Sequence, residues 1–184
     1  MKRNRTTWWG GAVALALLTI GTHSTAGGST PAGSSDSGSG AMNASQLAAL
    51  RGATARFHRL EVAIAEGYTA FAGCFSDPAG SGAMGYHYVN SSLVADPAID
   101  PLRPELLVYE EAPHGGLRLV AVEWIAFVSA WHLAGNPAAP SLFGHEFHVN
   151  PTLLAEPFYL LHAWIWKNNP SGLFADWNPK VTCN

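Results

Sequence analysis

From residue 45 to residue 66 the apolar side chains Leu50, Phe57, Leu60 and Ile64 return to one side of a 3.6-residue period, while Arg51, Arg56 and Glu66 fall elsewhere. That spacing predicts one amphipathic helix over 45–66, with Ser45 placed to cap its start and Gly67 to end it. Beyond a glycine-rich turn at 77–83 the pattern changes to short aromatic and β-branched runs. Residues 84–89, 106–110, 117–127, a stretch near 147–149 and 158–166 read as strands. Pro113-His114-Gly115-Gly116 joins two of them as a hairpin. Pro97, Pro101 and Pro104 punctuate the preceding loop, and Asn169-Pro170-Ser171-Gly172 and Asn178-Pro179 mark turns in the tail. The predicted fold class is α+β: one N-terminal amphipathic helix packed on a mainly antiparallel sheet of about five strands, open to curling toward a barrel.

Upstream of that domain the chain reads as an address and a tether. Lys2, Arg3 and Arg5 precede an apolar run from Trp8 to Ile20, and Ser24-Thr25-Ala26 supplies small residues for cleavage, so residues 1–26 are expected to be a signal peptide. Residues 27–44 are rich in glycine and serine and read as a disordered linker, leaving 45–184 as a single globular domain. Export to the periplasm, the cell envelope or the medium is the expected localisation, with no stable membrane span once the leader is cleaved.

Composition narrows the partners. Hydrophobic residues make up 48% of the 184 and charged residues only 12%, which excludes a coiled coil and a wholly disordered chain. Ten lysines and arginines face 13 acidic residues; without Lys2, Arg3 and Arg5 seven remain, a net charge of −6. A nucleic-acid partner is not expected, because phosphate contacts need clustered cations. Cys74 and Cys183, an even pair in an oxidising compartment, are expected to form a disulfide closing a loop of about a hundred residues and contributing ~4 kcal/mol in the chain-entropy model. The other reading leaves them as two separate thiols.

Three polar residues sit in apolar strand text. His162 lies within Phe158-Tyr-Leu-Leu-His-Ala-Trp-Ile-Trp166, and strand alternation puts it on one face with Phe158, Leu160, Trp164 and Trp166. His87 stands between Tyr86 and Tyr88, and Glu123 within Leu119-Val-Ala-Val-Glu-Trp-Ile125. An unpaired carboxylate in such a run costs several kcal/mol, so Glu123 must be neutral, paired or bound to a cation. Two imidazoles and one carboxylate facing a common hollow would suit one divalent metal such as zinc, manganese, iron or copper. The competing reading makes the histidines packed residues bonded to backbone carbonyls and pairs Glu123 with Arg103 or Lys167.

A hairpin centred on His114-Gly115 opposes 111 to 118, 110 to 119 and 106 to 123. Glu111 would then pair with Arg118, and Glu110 would lie four rungs from Glu123, about 13 Å, too far to share an ion. Glu110 is the substitute for Glu123 if the strand slips. His145-Glu-Phe-His148 has the wrong spacing for a zinc protease, whose histidines are four apart on a helix. His148 stays as an additional ligand candidate, and His58, beside Arg56 and Arg59, is expected to be solvated. No phosphate-cradling glycine loop or nucleophile elbow occurs. Trp124, Trp131, Trp164, Trp166 and Trp177 are expected to be mainly core. An exposed subset would instead make a non-enzymatic binding or assembly module, with a small ligand or a second copy of the chain as partner; a purely structural domain is the third reading.

The segments Gly85-Tyr-His-Tyr-Val-Asn90, Leu107-Val-Tyr-Glu110, Leu119-Val-Ala-Val-Glu-Trp124 and Leu161-His-Ala-Trp-Ile-Trp-Lys-Asn-Asn-Pro-Ser-Gly-Leu-Phe-Ala-Asp-Trp-Asn-Pro179 resemble a group of uncharacterised exported bacterial proteins. The resemblance covers roughly residues 45–183 and is most specific in the last segment. It implies a bacterial, exported origin and carries over no catalytic residue, because no activity is established for that group. It also marks His87, Glu110, Glu123 and His162 as lying in its recognisable segments.

Overall fold

The computed structural model describes residues 42–183; the expected leader, and the expected linker up to residue 41, lie outside them. Helix α1, Ala44–Thr54, begins one residue before Ser45 and is capped by Asn43. The Asn43 side chain accepts from the Gln46 N–H and the Gln46 side chain accepts from the Asn43 N–H, both at 2.9 Å, which satisfies two orphan donors reciprocally. The single long helix expected from the periodicity is broken. A 3-10 turn, Ala55–His58, follows α1, and α2, Leu60–Ala65, starts only after an extended Arg59. The tighter turn brings Phe57 into the core, where its carbonyl accepts the Tyr109 hydroxyl at 2.8 Å. Gly67, at φ +94°, ends α2 as expected.

The strands are β1, Tyr68–Ser76; β2, Ala83–Asn90; β3, Leu106–Glu111; β4, Leu117–Phe127; the short pair β5, Ser141–Leu142, and β6, His145–Glu146; β7, His148–Asn150; and β8, Phe158–Ala163. Short helices α3, Ser91–Val94, and α4, Val128–Leu133, follow β2 and β4. The main sheet has six strands in the order β1-β2-β3-β4-β8-β7, all neighbours antiparallel. It is therefore α+β as expected, with one more strand, but open at β1 and β7 rather than closed into a barrel. Strand β1 was not expected. A bulge between Phe71 and Cys74, with Ala72 at φ +56°, removes the alternation that would have revealed it.

The β3–β4 hairpin has the expected turn, with Gly115 and Gly116 at positive φ, but not quite the expected register. Leu106 faces Glu123 as predicted, whereas Tyr109 faces Leu119, Glu110 faces Arg118 and Glu111 faces Leu117. Val120 is the extra residue between the partners of Val108 and Tyr109, and this bulge moves every pairing on the turn side by one. The expected Glu111–Arg118 ion pair is thereby replaced: Glu111 instead accepts from the Tyr86 hydroxyl at 2.9 Å. Strand β8 stops at Ala163, because Trp164 N–H turns to the Leu173 carbonyl and Trp166 N–H to the Val120 carbonyl. Trp166 consequently leaves the face predicted for it and packs against Arg51 and His58.

The sheet has two unlike faces. One packs Leu107, Tyr109, Val122, Trp124 and Leu161 against Leu50, Phe57 and Ala63 of the helical segment, forming the main core. The other carries Leu106, Ile125, Phe158 and Leu160 with His87, Glu123 and His162. The predicted disulfide is present: Cys74 of β1 bonds to Cys183 of the tail, with Cα atoms 5.6 Å apart. Among the described residues no helix is long and apolar enough to cross a membrane.

Candidate metal centre

Sheet pairing brings the three singled-out residues together. Glu123 on β4 lies directly opposite His162 on β8. On its other side Glu123 faces Leu106 of β3, and β3 in turn separates it from β2, where His87 pairs with Val108. His87 and Glu123 meet by reaching over β3, with His87 Nε2 3.5 Å from Glu123 Oε2. His87, Glu123 and His162 each offer a ligand atom, and these atoms all lie within 4.8 Å of one another. Their relative exposures are 4%, 4% and 0%, so all three sit in the protein interior.

The nitrogens show how incomplete this cluster is as a piece of ordinary core. Both ring nitrogens of His162 are buried without a hydrogen-bond partner in the chain, and His87 has, besides Glu123, only a weak pull from the Gly85 backbone. Buried polar atoms are nearly always paired, so two orphans on one ring beside a carboxylate call for a cause. Neither cation proposed as a partner for Glu123 reaches it: Lys167 is committed to Glu110, and among the described residues no lysine or arginine lies within 4.0 Å of Glu123.

Burial sets the protonation of the cluster. It pushes His87 down to about 4, opposed by a weaker pull from the Gly85 backbone. It also holds His162 well below the usual histidine range, helped by the nearby His87 and His148. Glu123 is pushed up to about 8, first by burial and then by the charge of Asp176. At neutral pH the chain alone therefore holds two neutral imidazoles, the ligand form for a metal, beside a carboxylic acid that must release its proton to join them.

The other sequence candidates are placed as follows. Glu110 is buried but stands apart: its carboxylate accepts from Arg118 Nε at 2.7 Å and from Lys167 Nζ at 2.6 Å, and so belongs to an ion-pair network rather than to the cluster. Glu110 lies four residues along β3 from Leu106, the residue that faces Glu123, and Glu110 rather than Glu111 is the partner of Arg118. His148 lies at the edge of the site, with Nε2 3.4 Å from Asp176 Oδ2 and nearly half of its side chain exposed. His145, on β6, stacks on Phe174 instead, so the pair is not a protease motif. His58 is exposed as expected, although its ring packs edge-on against Trp166 and partial burial lowers its pKa. Trp124 and Trp164 are core as expected, whereas Trp177 lines a cavity.

Two further acids carry little signal in the sequence. Asp176 reaches the site from the tail; its only signal is a lone carboxylate between aromatics in Phe174-Ala-Asp-Trp177. Glu105, buried before β3, is pushed up to about 8 by burial and accepts from Ile125 N–H at 3.2 Å, extending the ladder just ahead of the first residue of β3. Proline before it and leucines after it gave no reason to expect burial.

His87 and Glu123 reach the wall of a cavity of about 530 Å³, and His162 lies behind them. An ion held by these three groups would keep coordination positions free for a water or a ligand oxygen entering from that cavity. No known protein family, curated protein or solved structure matches the chain.

Proposed function

We propose that this chain is an exported bacterial domain that binds one divalent transition-metal ion through His87, Glu123 and His162. The observation that carries the reading is the pair of buried, unpartnered ring nitrogens of His162 beside a buried carboxylate and a second buried imidazole. Two neutral imidazoles and a carboxylate suit zinc, iron, manganese or copper, and the same donor set with open positions is a recurrent iron(II) arrangement. A tetrahedral ion at ~2.1 Å from its ligands holds them roughly 3.4 Å apart, so the cluster would draw in around it. Export is supported by the leader-like N-terminus and by the disulfide, which persists in oxidising compartments. A purely structural His87–Glu123 contact would account for one nitrogen and leave both of those on His162 unexplained. An aromatic assembly surface is less favoured, because the large exposed apolar side chains among the described residues are aliphatic.

Elemental analysis and zinc titration of protein purified without an affinity tag test the reading. One equivalent of metal is expected, with His87→Ala and His162→Ala each weakening zinc by at least about a hundredfold while the far-ultraviolet spectrum is kept. Negligible metal in all three proteins, both as purified and after titration, would overturn it.

A further inference from the structure

We propose that the cavity beside this centre takes an aliphatic monocarboxylate of medium chain length, its head on the ion and its tail along the sheet toward Phe127 and Phe158. The inference rests on the metal reading above and adds the class of ligand. Its first support is the distribution of polarity along the strands. The Glu123–His162 rung is followed on the cavity face by Ile125 opposite Leu160, and then by Phe127 opposite Phe158. The four residue steps from Glu123 to Phe127 span about 13 Å of strand, the length of an extended decanoyl chain. Phe75 of β1, Leu106 of β3 and Leu154 of the loop after β7 complete an apolar enclosure of about 530 Å³, in the size range that buries a drug-sized molecule.

The second support is charge. The titratable groups on the cavity wall are His87, Glu123, His148 and Asp176: His87 with Glu123, and His148, which pairs with Leu160 one rung further on, with Asp176 at 3.4 Å and within electrostatic reach of Glu123 and His162, so that the Phe127–Phe158 end carries none of them. At the other end Asn150 already spends its side-chain oxygen on the Thr152 and Leu153 N–H groups. A divalent ion on two neutral imidazoles and one carboxylate leaves one positive charge on its own ligand set, which favours an anionic oxygen head at the open position, while Asp176 beyond it faces His148. Without the ion no lysine or arginine among the described residues lines that end to hold one.

Calorimetric titration separates the two readings. Zinc is titrated first, then decanoate, acetate and decyltrimethylammonium into zinc-loaded and metal-free protein. Decanoate should bind the zinc form at least about tenfold more tightly than acetate does, through its buried chain, and at least about tenfold more tightly than it binds the metal-free form. Decyltrimethylammonium should not bind the zinc form measurably. Leu154→Trp and Val94→Trp, both at half-buried positions on the cavity wall, should each weaken decanoate at least about tenfold and leave zinc unchanged. Absence of zinc binding would overturn the metal reading and this one with it. Normal zinc binding overturns the carboxylate alone if decanoate binds no better than acetate, if it binds as well without zinc, if the cationic amphiphile matches it, or if both tryptophan variants bind it normally.

Discussion

At the scale of single residues, burial acts on His87 and Glu123 in opposite senses. The folded chain keeps His87 neutral down to about 4, whereas the unfolded chain takes up that proton near 6.5, so the His87 contribution is lost as pH falls through that window. Glu123 stays protonated in the folded chain up to about 8, whereas the unfolded chain releases the proton near 4.5, so stability falls as pH rises between those values. Above pH 6.5 only the second effect operates within this pair. The metal-free protein should therefore lose up to about 1.4 kcal/mol per pH unit on this account as pH approaches 8. Glu105, also pushed up to about 8, adds a slope of the same sign, so the difference between the native protein and Glu123→Gln in melting temperature against pH isolates Glu123. Zinc reverses the sign, because it requires the carboxylate. Binding at pH 7 should release roughly one proton, read from the dependence of the calorimetric heat on buffer ionisation.

At the scale of elements, the position of His87 depends on how closely β2 approaches β3. Gly85 has φ +113°, and a Cβ placed there would lie 2.3 Å from the Tyr109 carbonyl oxygen. Gly85→Ala must combine backbone strain with displacement of β2, two residues from His87. It should cost about 2–4 kcal/mol in denaturant unfolding and weaken zinc in the same variant. The elements legible in the sequence are those whose pattern is local: β2, β3, β4 and β8 alternate or run apolar, and the glycine pair of the hairpin turn states itself. The three site residues were legible for the same reason, each being a polar group with no local excuse inside an apolar run. What remained hidden depends on distant partners. Tyr109 captures Phe57 and breaks the helix, the bulge at Val120 gives Arg118 to Glu110, and a bulge at Ala72 disguises β1. Asp176 enters the site from an irregular tail, where no periodicity predicts the direction of a side chain.

At the scale of the whole molecule, the sheet divides the labour of the domain. Its helix-covered face buries Trp124, Tyr109 and Leu107 completely, and its other face leaves a cavity bounded by β1, α3, the loop after β7 and the tail. The tail contributes Asp176 and Trp177 to that cavity and is tied to β1 by the Cys74–Cys183 bond, across 109 residues of sequence. Loss of the bond through Cys74→Ser with Cys183→Ser should lower stability by about 4–5 kcal/mol in the chain-entropy account, measured by denaturant unfolding of the metal-free protein. The bond also adjoins Phe75, whose ring meets His87 edge-on at 5.1 Å. Beyond stability, the cross-link decides which parts of the molecule breathe together. With it intact, the amides of residues 173–181 should exchange with solvent deuterium on the slow schedule of the sheet; once it is reduced, that stretch should exchange early while β4 stays protected, making the tail a separately opening unit.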